Sequence, residues 1–228
     1  MLSAVPPEMI APALQKAGFR VEFGKSLSEL GTFQLGGPLQ ALVCCEDPRQ
    51  LEILRGLLHR EGLPALLIGE GSNLLFSDAG WPGLMVRYVS ENCRPEAVGS
   101  GLWKVSASVS LQELVSWSVR EGWAGLEAFS GIPGTLGGAV VGNAGAWGVQ
   151  MEHVVFEVRG VDSGGTTHLL SNAECGFRYR DSLLKDGELW ISEVLLQLRP
   201  GDAADLTRER ERILEVRAAK HPDWRKEP

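Results

Sequence analysis

The sequence predicts an α+β fold built as two successive units. Three observations support this: strand-like and helix-like patterns alternate along the chain, 44 % of the 228 residues are apolar, and each half carries one glycine cluster. An apolar share of that size suffices for a hydrophobic core, and the alternation is typical of sheets covered by helices. We expect the units at 1–88 and 89–201, followed by a charged helix and tail at 202–228.

In the first half, a strand, a helix and a second strand follow one another at the spacing of a βαβ motif. Leu39–Glu46 is an apolar run typical of a buried strand. The helix after it begins with Asp47 as its N-cap and Pro48 in its first turn, and Gly62 ends it. Further strands are expected at 64–69 and 83–88.

The second half shows the same mixture of elements. A strand pattern at 102–110 leads into a helix that begins at Ser110, where Glu113 completes the pattern of a capping box. Ser171 and Glu174 repeat that pattern further on. The remaining predictions are a hairpin at 153–170, a long strand at 189–199 with Ile191, Val194, Leu196 and Leu198 buried, and a helix at 205–220.

Charge and cysteine content exclude several classes of protein. The net charge is −7, the pI is near 5.2 and no basic face is visible, so we expect no nucleic-acid partner. No apolar run approaches the roughly 18 residues of a membrane span, and the N-terminus lacks the pattern of a signal peptide. We therefore expect a cytoplasmic protein with no metal and with free thiols, of which Cys44 and Cys45 are buried.

Two glycine clusters are the candidate ligand-binding features. The first is IGEGSNLLFSD, Ile68–Asp78, and the second is SGIPGTLGGAVVGNAGAWG, Ser130–Gly148. Glycine lets backbone N–H groups converge and lets a ligand approach with no Cβ in the way. Neither cluster has the GxGxxG or GxxxxGK spacing, so each is either a plain turn or a phosphate-binding loop. Together they make the pyrophosphate of a dinucleotide as good an interpretation as two plain turns.

The second cluster is small and apolar rather than polar and serine-rich, which excludes a flexible linker. After Pro133 the residues predict a short, closely packed helix. Gly137 and Gly138 in its first turn would let a phosphate or a flat ring touch the backbone. Trp147, which follows, is either a packing residue or a ring contact for a ligand.

Four strings in series carry a resemblance to a known family. They are TFQLGG (Thr32–Gly37), IGEGSNLLFSDAG, SGIPGTLGGAVVGNAGAWG and CGFRYRDSLLK, in this order and at this spacing. The sequence resembles the UDP-N-acetylenolpyruvoylglucosamine reductases, flavoenzymes of bacterial cell-wall synthesis, from Thr32 to Arg217. The resemblance implies the two-subdomain FAD-binding fold of the vanillyl-alcohol-oxidase (PCMH) type, with FAD between the two units.

The resemblance also implies site residues. Those that match the family's cofactor-binding loops are Gly69, Gly71, Ser72, Asn73, Leu74, Ile132, Pro133, Gly134, Thr135, Gly138, Ala139, Asn143, Ala144 and Gly145. The family's substrate arginine falls on Arg180, which is thereby the catalytic candidate, and Tyr179 beside it is a second substrate-binding residue. The implied reductant is NADPH and the implied substrate is a UDP-sugar.

The family's third, C-terminal domain, with a GSxFKNP-like string and a late catalytic glutamate, has no match in these residues. Three explanations stay open: a form that binds FAD without reducing this substrate, a partner chain that supplies the missing domain, or a different proton donor. The functional alternatives to the reductase are a flavin-binding module without turnover and an FAD-linked oxidase with another substrate.

Overall fold

The structure, a computed structural model, describes residues 7–220, with side chains from residue 12 on. Contacts group the chain into two compact units. The first comprises the residues up to Asn92 together with Arg159–Leu169 and Asp186–Ser192, and the second comprises the rest. The first break lies near the position expected from the sequence, but the chain returns to the first unit twice, which a contiguous division does not anticipate.

Helices and strands are interspersed along the chain, as the α+β class requires. The helices are α1 Pro7–Lys16, α2 Pro48–Arg60, α3 Leu111–Arg120, α4 Leu136–Val141 and α5 Ala203–Lys220. The strands are β1 Arg20–Glu22, β2 Leu39–Cys45, β3 Ala65–Ile68, β4 Trp81–Tyr88, β5 Glu96–Gly99, β6 Leu102–Ser106, β7 Trp123–Ala124, β8 Gly145–Ala146, β9 Val149–Gln150, β10 Val155–Val161, β11 Thr167–Ser171, β12 Trp190–Gln197 and β13 Arg199–Pro200.

The first unit is built on a four-stranded sheet in the order β1-β2-β4-β3. Strands β2 and β3 both run parallel to β4, whereas β1 pairs with β2 in the antiparallel sense. Strands β2 and β3 therefore run in the same direction with β4 between them, and α2 supplies the crossover that two parallel strands need. The predicted βαβ motif is therefore confirmed. Its core includes Leu27, Leu30, Leu42, Ile68 and Met85, with Leu74 and Phe76 packed against them.

Helix α2 begins and ends as its sequence predicts. The Asp47 carboxylate accepts the Gln50 amide at 2.9 Å, Pro48 occupies the first turn, and Gly62 follows the helix with a left-handed φ of 64°. Arg55, in the middle of α2, contacts the segment Asp186–Ser192 of the same unit. Its guanidinium carbon lies 4.4 Å from the centre of the Trp190 ring, and it donates to the Gly187 carbonyl at 2.8 Å.

The second sheet has the strand order β11-β10-β12-β6-β5. Strand β6 pairs in the antiparallel sense with β5 and with β12. Helix α3 buries the predicted apolar stripe, Leu111, Leu114, Val115 and Val119, and Trp103 on β6 meets the Trp117 ring edge-on at 4.7 Å between centroids. The predicted buried positions of the long strand, Ile191, Val194, Leu196 and Leu198, are all buried.

The two predicted capping boxes turn out differently. Ser110 is the N-cap of α3, but its side chain makes no capping bond. It lies instead opposite Thr135 in a β-bridge, whose hydrogen bonds are made by the backbones of Val109 and Leu111. That prediction is wrong. Ser171 and Glu174 do exchange the two bonds of a box, at 2.8 and 3.4 Å, but a turn rather than a helix follows them.

None of the four cysteines, all of which lie within the described residues, forms a disulfide bond, and three of them, Cys44, Cys45 and Cys175, are buried. Burial raises the pKa of Cys45 to about 12 and that of Cys175 to about 11. Partial burial, and then Glu113, also raise the pKa of Cys93, whose side chain is nevertheless exposed. The expectation of buried free thiols at positions 44 and 45 is confirmed.

This arrangement predicts a single reactive thiol. A thiol-specific reagent at mildly alkaline pH should label Cys93 before the other three cysteines in the folded protein, because its side chain is exposed and theirs are buried. The raised pKa of Cys93 leaves little thiolate at that pH, so labelling should be slower than that of an ordinary exposed thiol. Mass analysis of the labelled protein should show one adduct before denaturation and four after it. Rapid native labelling of Cys44 or Cys45 would contradict the packing of β2.

Candidate functional site

The first glycine loop, residues 69–74, follows β3 in the first unit. In parallel sheets, ligands bind beyond the carboxyl ends of the strands, which is where this loop lies. Gly71 takes a left-handed φ of 67°, and a Cβ there would overlap the Leu30 carbonyl oxygen. Its own carbonyl accepts the Thr32 and Leu74 amides, both at 3.4 Å. The loop is thus a tight turn that presents Asn73 to solvent, with Ser72 half-buried beside it.

The glycine platform, Ser130–Gly148, belongs to the second unit and contains α4 as its centre. The predicted short helix after Pro133 is confirmed. The amides of its first turn already have partners: Leu136 donates to the Val109 carbonyl at 2.9 Å, Gly137 to the Ala107 carbonyl at 2.8 Å, and Gly138 to the Thr135 hydroxyl at 3.2 Å. These amides therefore do not form the anion-binding helix start that the glycines suggest.

The two central glycines of the platform serve different purposes. A Cβ on Gly137 would lie 3.0 Å from the Ala107 side chain and 3.1 Å from its carbonyl oxygen, so this glycine allows close packing of α4 on the loop before α3. Gly138 is exposed, and a Cβ there would meet only the Thr135 hydroxyl, at 3.4 Å. Gly142, one helical turn later, has similarly open surroundings. Gly138 and Gly142 thus form a bare face of backbone on which a flat ligand can rest.

Gln112 on α3 fixes the start of the platform. Its side-chain amide donates to the carbonyls of Phe129 and Ile132, at 3.0 and 2.8 Å, and its oxygen accepts the Gly131 amide at 2.7 Å. Both N–H groups of the side-chain amide and its oxygen are thus bonded to the backbone of this loop. Gln112 therefore sets the positions of Ile132 and Pro133, two predicted cofactor-binding residues.

The predicted substrate residues lie on the arginine turn, Arg178–Asp181. The two end residues pair through their backbones, at 2.9 and 3.1 Å, so that Tyr179 and Arg180 form the tip. Both tip side chains are exposed, and Tyr179 retains 83 % of its accessible surface. Arg180 has a φ of 57°, a conformation that costs a non-glycine residue about 1 kcal/mol.

Two buried side chains of the second unit tie this turn to the platform. The Asn143 amide donates to the Arg178 carbonyl at 2.9 Å, and the Ser182 hydroxyl donates to the Val141 carbonyl at 2.7 Å. The structure thus brings the bare face and the predicted substrate arginine together within one unit.

Comparisons with known proteins agree with this geometry. Residues 38–171 match the model of the FAD-binding domain family. The UDP-N-acetylenolpyruvoylglucosamine reductase of Synechococcus is 38 % identical over 93 % of this chain and 68 % of its own length. The Syntrophomonas wolfei enzyme of the same name is 31 % identical over 89 % of this chain and 68 % of its own.

This chain belongs to the UDP-N-acetylenolpyruvoylglucosamine reductase family. The crystal structure of the Thermus caldophilus enzyme of that name superimposes with a TM-score of 0.77 at 30 % identity, covering 90 % of this chain and 71 % of that one. Alkyldihydroxyacetonephosphate synthase, at 18 % identity and a TM-score of 0.60, shares the fold. The predicted family, the FAD-binding fold and the flavin oxidoreductase class are therefore confirmed.

Trp147 lies against α5. The guanidinium of Arg212 sits 5.4 Å from the centre of its ring and the Lys220 ammonium 6.0 Å away. Of the two uses that the sequence left open, this geometry favours packing, reinforced by cation–π attraction.

The histidines give no sign of a metal site. His168 bonds to Asp162 at 2.7 Å, and His153 accepts the Gln150 amide at 3.1 Å. His221 lies outside the described residues. Within residues 7–220, no group of histidine, cysteine and carboxylate side chains is arranged to hold a metal ion, and no helix has the length and apolar character needed to cross a membrane.

The sequence did not reveal Gln112, nor the use of Asn143 as a structural link. Gln112 stands in an ordinary amphipathic helix, and nothing in SLQEL separates it from a solvent-exposed glutamine. Its half-buried position next to a glycine loop is visible only once the fold is known.

Gln112→Leu should lower the free energy of unfolding by about 2 kcal/mol, because two carbonyls and one amide of the platform lose their partner in a half-buried setting. Urea denaturation measures the change. Gln197→Leu is the matched control, since its amide also donates to two carbonyls but is exposed, so that water replaces it. Equal losses in the two variants would contradict an anchoring role for Gln112.

Proposed function

We propose that this protein is an FAD-dependent reductase that uses NADPH to reduce UDP-N-acetylglucosamine enolpyruvate to UDP-N-acetylmuramate in peptidoglycan synthesis. The observation that carries the proposal is the bare face at Gly138 and Gly142. This face lies within the motif string Ser130–Gly148 that this chain shares with the family, and hydrogen bonds from Asn143 and Ser182 connect it to the arginine turn. The free thiols fit a reducing compartment, and we propose the cytoplasm as its location.

The residues of both glycine loops suit a flavin dinucleotide. FAD bound there would supply the hydride transfer from NADPH to one carbon of the enolpyruvyl double bond, and a proton would be added at the other carbon. The bare face accepts a planar ring without steric conflict. The exposed tip of the first glycine loop, with Ser72 and Asn73, offers short polar groups for the phosphates or ribose. Of the other matched residues, Pro133 is exposed, and Gly69, Leu74, Ile132, Ala144 and Gly145 are half-buried and would add surface around the ligand. Gly71, Gly134, Thr135, Ala139 and Asn143 are buried and shape the loops from beneath.

Arg180 is proposed to bind the substrate carboxylate. Its guanidinium is exposed at the tip of a turn, with the Tyr179 ring 6.0 Å away. After hydride addition, negative charge develops next to that carboxylate, and a fixed cation stabilises it most where water is excluded. Tyr179, equally exposed, is placed to cover the same substrate group.

Gly138→Ala tests the bare face. The folded protein has room for this methyl group, and alanine favours a helix, so the free energy of unfolding should stay equal or rise slightly. The affinity for FAD, measured by flavin fluorescence titration, should fall about tenfold because the methyl stands where the ring lies. Gly137→Ala is the control: it should lose stability through the clash with Ala107. Unchanged FAD affinity in Gly138→Ala would exclude this face as the flavin site.

Arg180→Ala should lower kcat/KM for the UDP-sugar about 100-fold while leaving bound FAD unchanged, because the lost cation acts on the substrate carboxylate and not on the cofactor. Arg180→Lys should recover part of the loss by restoring the charge without the bidentate geometry. The exposed Arg199→Ala controls for net charge.

Consumption of NADPH that depends on the UDP-sugar is the measurement. Substrate-dependent turnover that survives in Arg180→Ala would refute the assigned role. Wild-type protein that binds FAD but never consumes NADPH with this substrate would instead support a flavin-binding module without turnover.

A further inference from the structure

We propose that Asn143 and Ser182 are positioning residues that hold the arginine turn on the carboxyl end of α4 and thereby fix where Arg180 meets the substrate. This inference rests on the proposed function of Arg180. It assigns to Asn143 a task in addition to its predicted place beside the cofactor, and to Ser182 a task of its own.

The Asn143 side chain is completely buried and fully engaged. Its nitrogen donates to the Arg178 carbonyl at 2.9 Å and makes longer contacts with the side-chain oxygens of Gln150 and Glu152, at 3.4 and 3.5 Å. Its oxygen accepts the Glu152 amide at 3.1 Å. A backbone carbonyl only accepts and a backbone amide only donates, so these two partners fix the orientation of the side-chain amide. The residue therefore links the turn to the segment that follows the platform.

The backbone of Asn143 fits the same purpose. Its φ of 39° lies in the left-handed region, which asparagine and aspartate tolerate better than most residues. This conformation follows directly on the last turn of α4. Asparagine thus combines the required backbone shape with a donor of the required reach.

Ser182 closes the other side of the turn. Its side chain is 6 % exposed, and its hydroxyl donates to the Val141 carbonyl at 2.7 Å. Val141 is the last residue of α4, and carbonyls at the end of a helix lack partners within it. The bond therefore satisfies a helix terminus and fastens the residue two positions after Arg180.

These two bonds bracket the arginine. Arg178 is held before it and Ser182 after it, and both are held to the end of the helix that presents Gly138 and Gly142. The left-handed φ of Arg180 is unfavourable for a residue with a side chain, so the turn should change its conformation if either bond is lost. Because Arg180 meets the substrate carboxylate only while the turn is in place, a turn that is in place less of the time lowers the apparent affinity for the substrate by that fraction.

Two substitutions remove the bonds with little change of shape. Asn143→Asp keeps the size, the left-handed conformation and the acceptor for Glu152, but it replaces the donor to Arg178 with an oxygen. Ser182→Ala removes only the hydroxyl. The matched controls are Asn172→Asp, which loses donors to the Glu152 and Val155 carbonyls, and Ser171→Ala, which loses a hydroxyl bonded to Glu174.

The first measurement needs no turnover. Trypsin cleaves after arginine, and a loosened turn exposes Arg178 and Arg180 to it more often. We expect cleavage at these two sites, identified by mass, to be about tenfold faster in Asn143→Asp and Ser182→Ala than in wild type. Cleavage at these sites in the two control variants should match wild type.

The second measurement separates positioning from stability. In both test variants KM for the UDP-sugar should rise about tenfold, with kcat within about threefold of wild type, because Arg180 is present but less often in place. The controls should keep the wild-type KM even if their stability falls.

Wild-type rates of nicking and wild-type KM in both test variants would overturn the proposal, and so would equal changes in all four variants. If Asn143→Asp weakens FAD binding alone and leaves nicking and KM unchanged, Asn143 serves the cofactor and not the turn. Should wild-type protein show no turnover, the proposed function fails, whereas the tryptic comparison still decides whether the turn is held in this way.

Discussion

The backbone hydrogen bonds that hold the first turn of α4 are the constraint on which the site depends. A helix of six residues has no appreciable stability alone, because nucleation costs more than so few bonds return. Here Leu136 and Gly137 donate to the loop before α3, and Leu111 at the start of α3 donates to the Gly134 carbonyl. This exchange adds to the packing of the buried Leu136, Ala139 and Val140 side chains, and the opposite face of α4 at Gly138 carries no side chain.

That constraint divides the work between neighbouring residues. Gly137 faces Ala107 and must lack a side chain so that the two backbones can approach each other. Gly138 faces outward, and its backbone is not covered by a side chain of its own. Polar side chains act from behind this surface: Gln112 holds its entry, and Asn143 and Ser182 hold its exit. The position of this backbone surface is thus fixed by side chains that lie beneath it and are not part of the surface itself.

Much of this arrangement could be predicted from the sequence, because it is encoded locally. The caps of α2, the apolar stripe of α3 and the alternation in β12 depend on neighbours along the chain, and all appear where expected. The four motif strings likewise predicted the family and its FAD-binding fold.

What the sequence could not provide depends on partners far away in the chain. Ser110 matches a capping-box pattern, but it lies opposite Thr135 in a β-bridge, and the amides of α4 find acceptors at Ala107 and Val109. Neither the bonds from Gln112 to the platform nor the bond from Ser182 to Val141 has a local signature. Propensities and spacings cannot anticipate such pairings, because tertiary contacts decide them.

The discontinuity of the first unit bears on how such a protein can be divided. A gene fragment that ends near Asn92 would encode the four-stranded sheet but not Trp190, on which Arg55 stacks, nor Thr167, which bonds to Glu52 at 2.5 Å. No single cut in the chain separates the two units with all their own parts. A fragment that ends near Asn92 would therefore leave α2 without two of the contacts that it makes within its own unit.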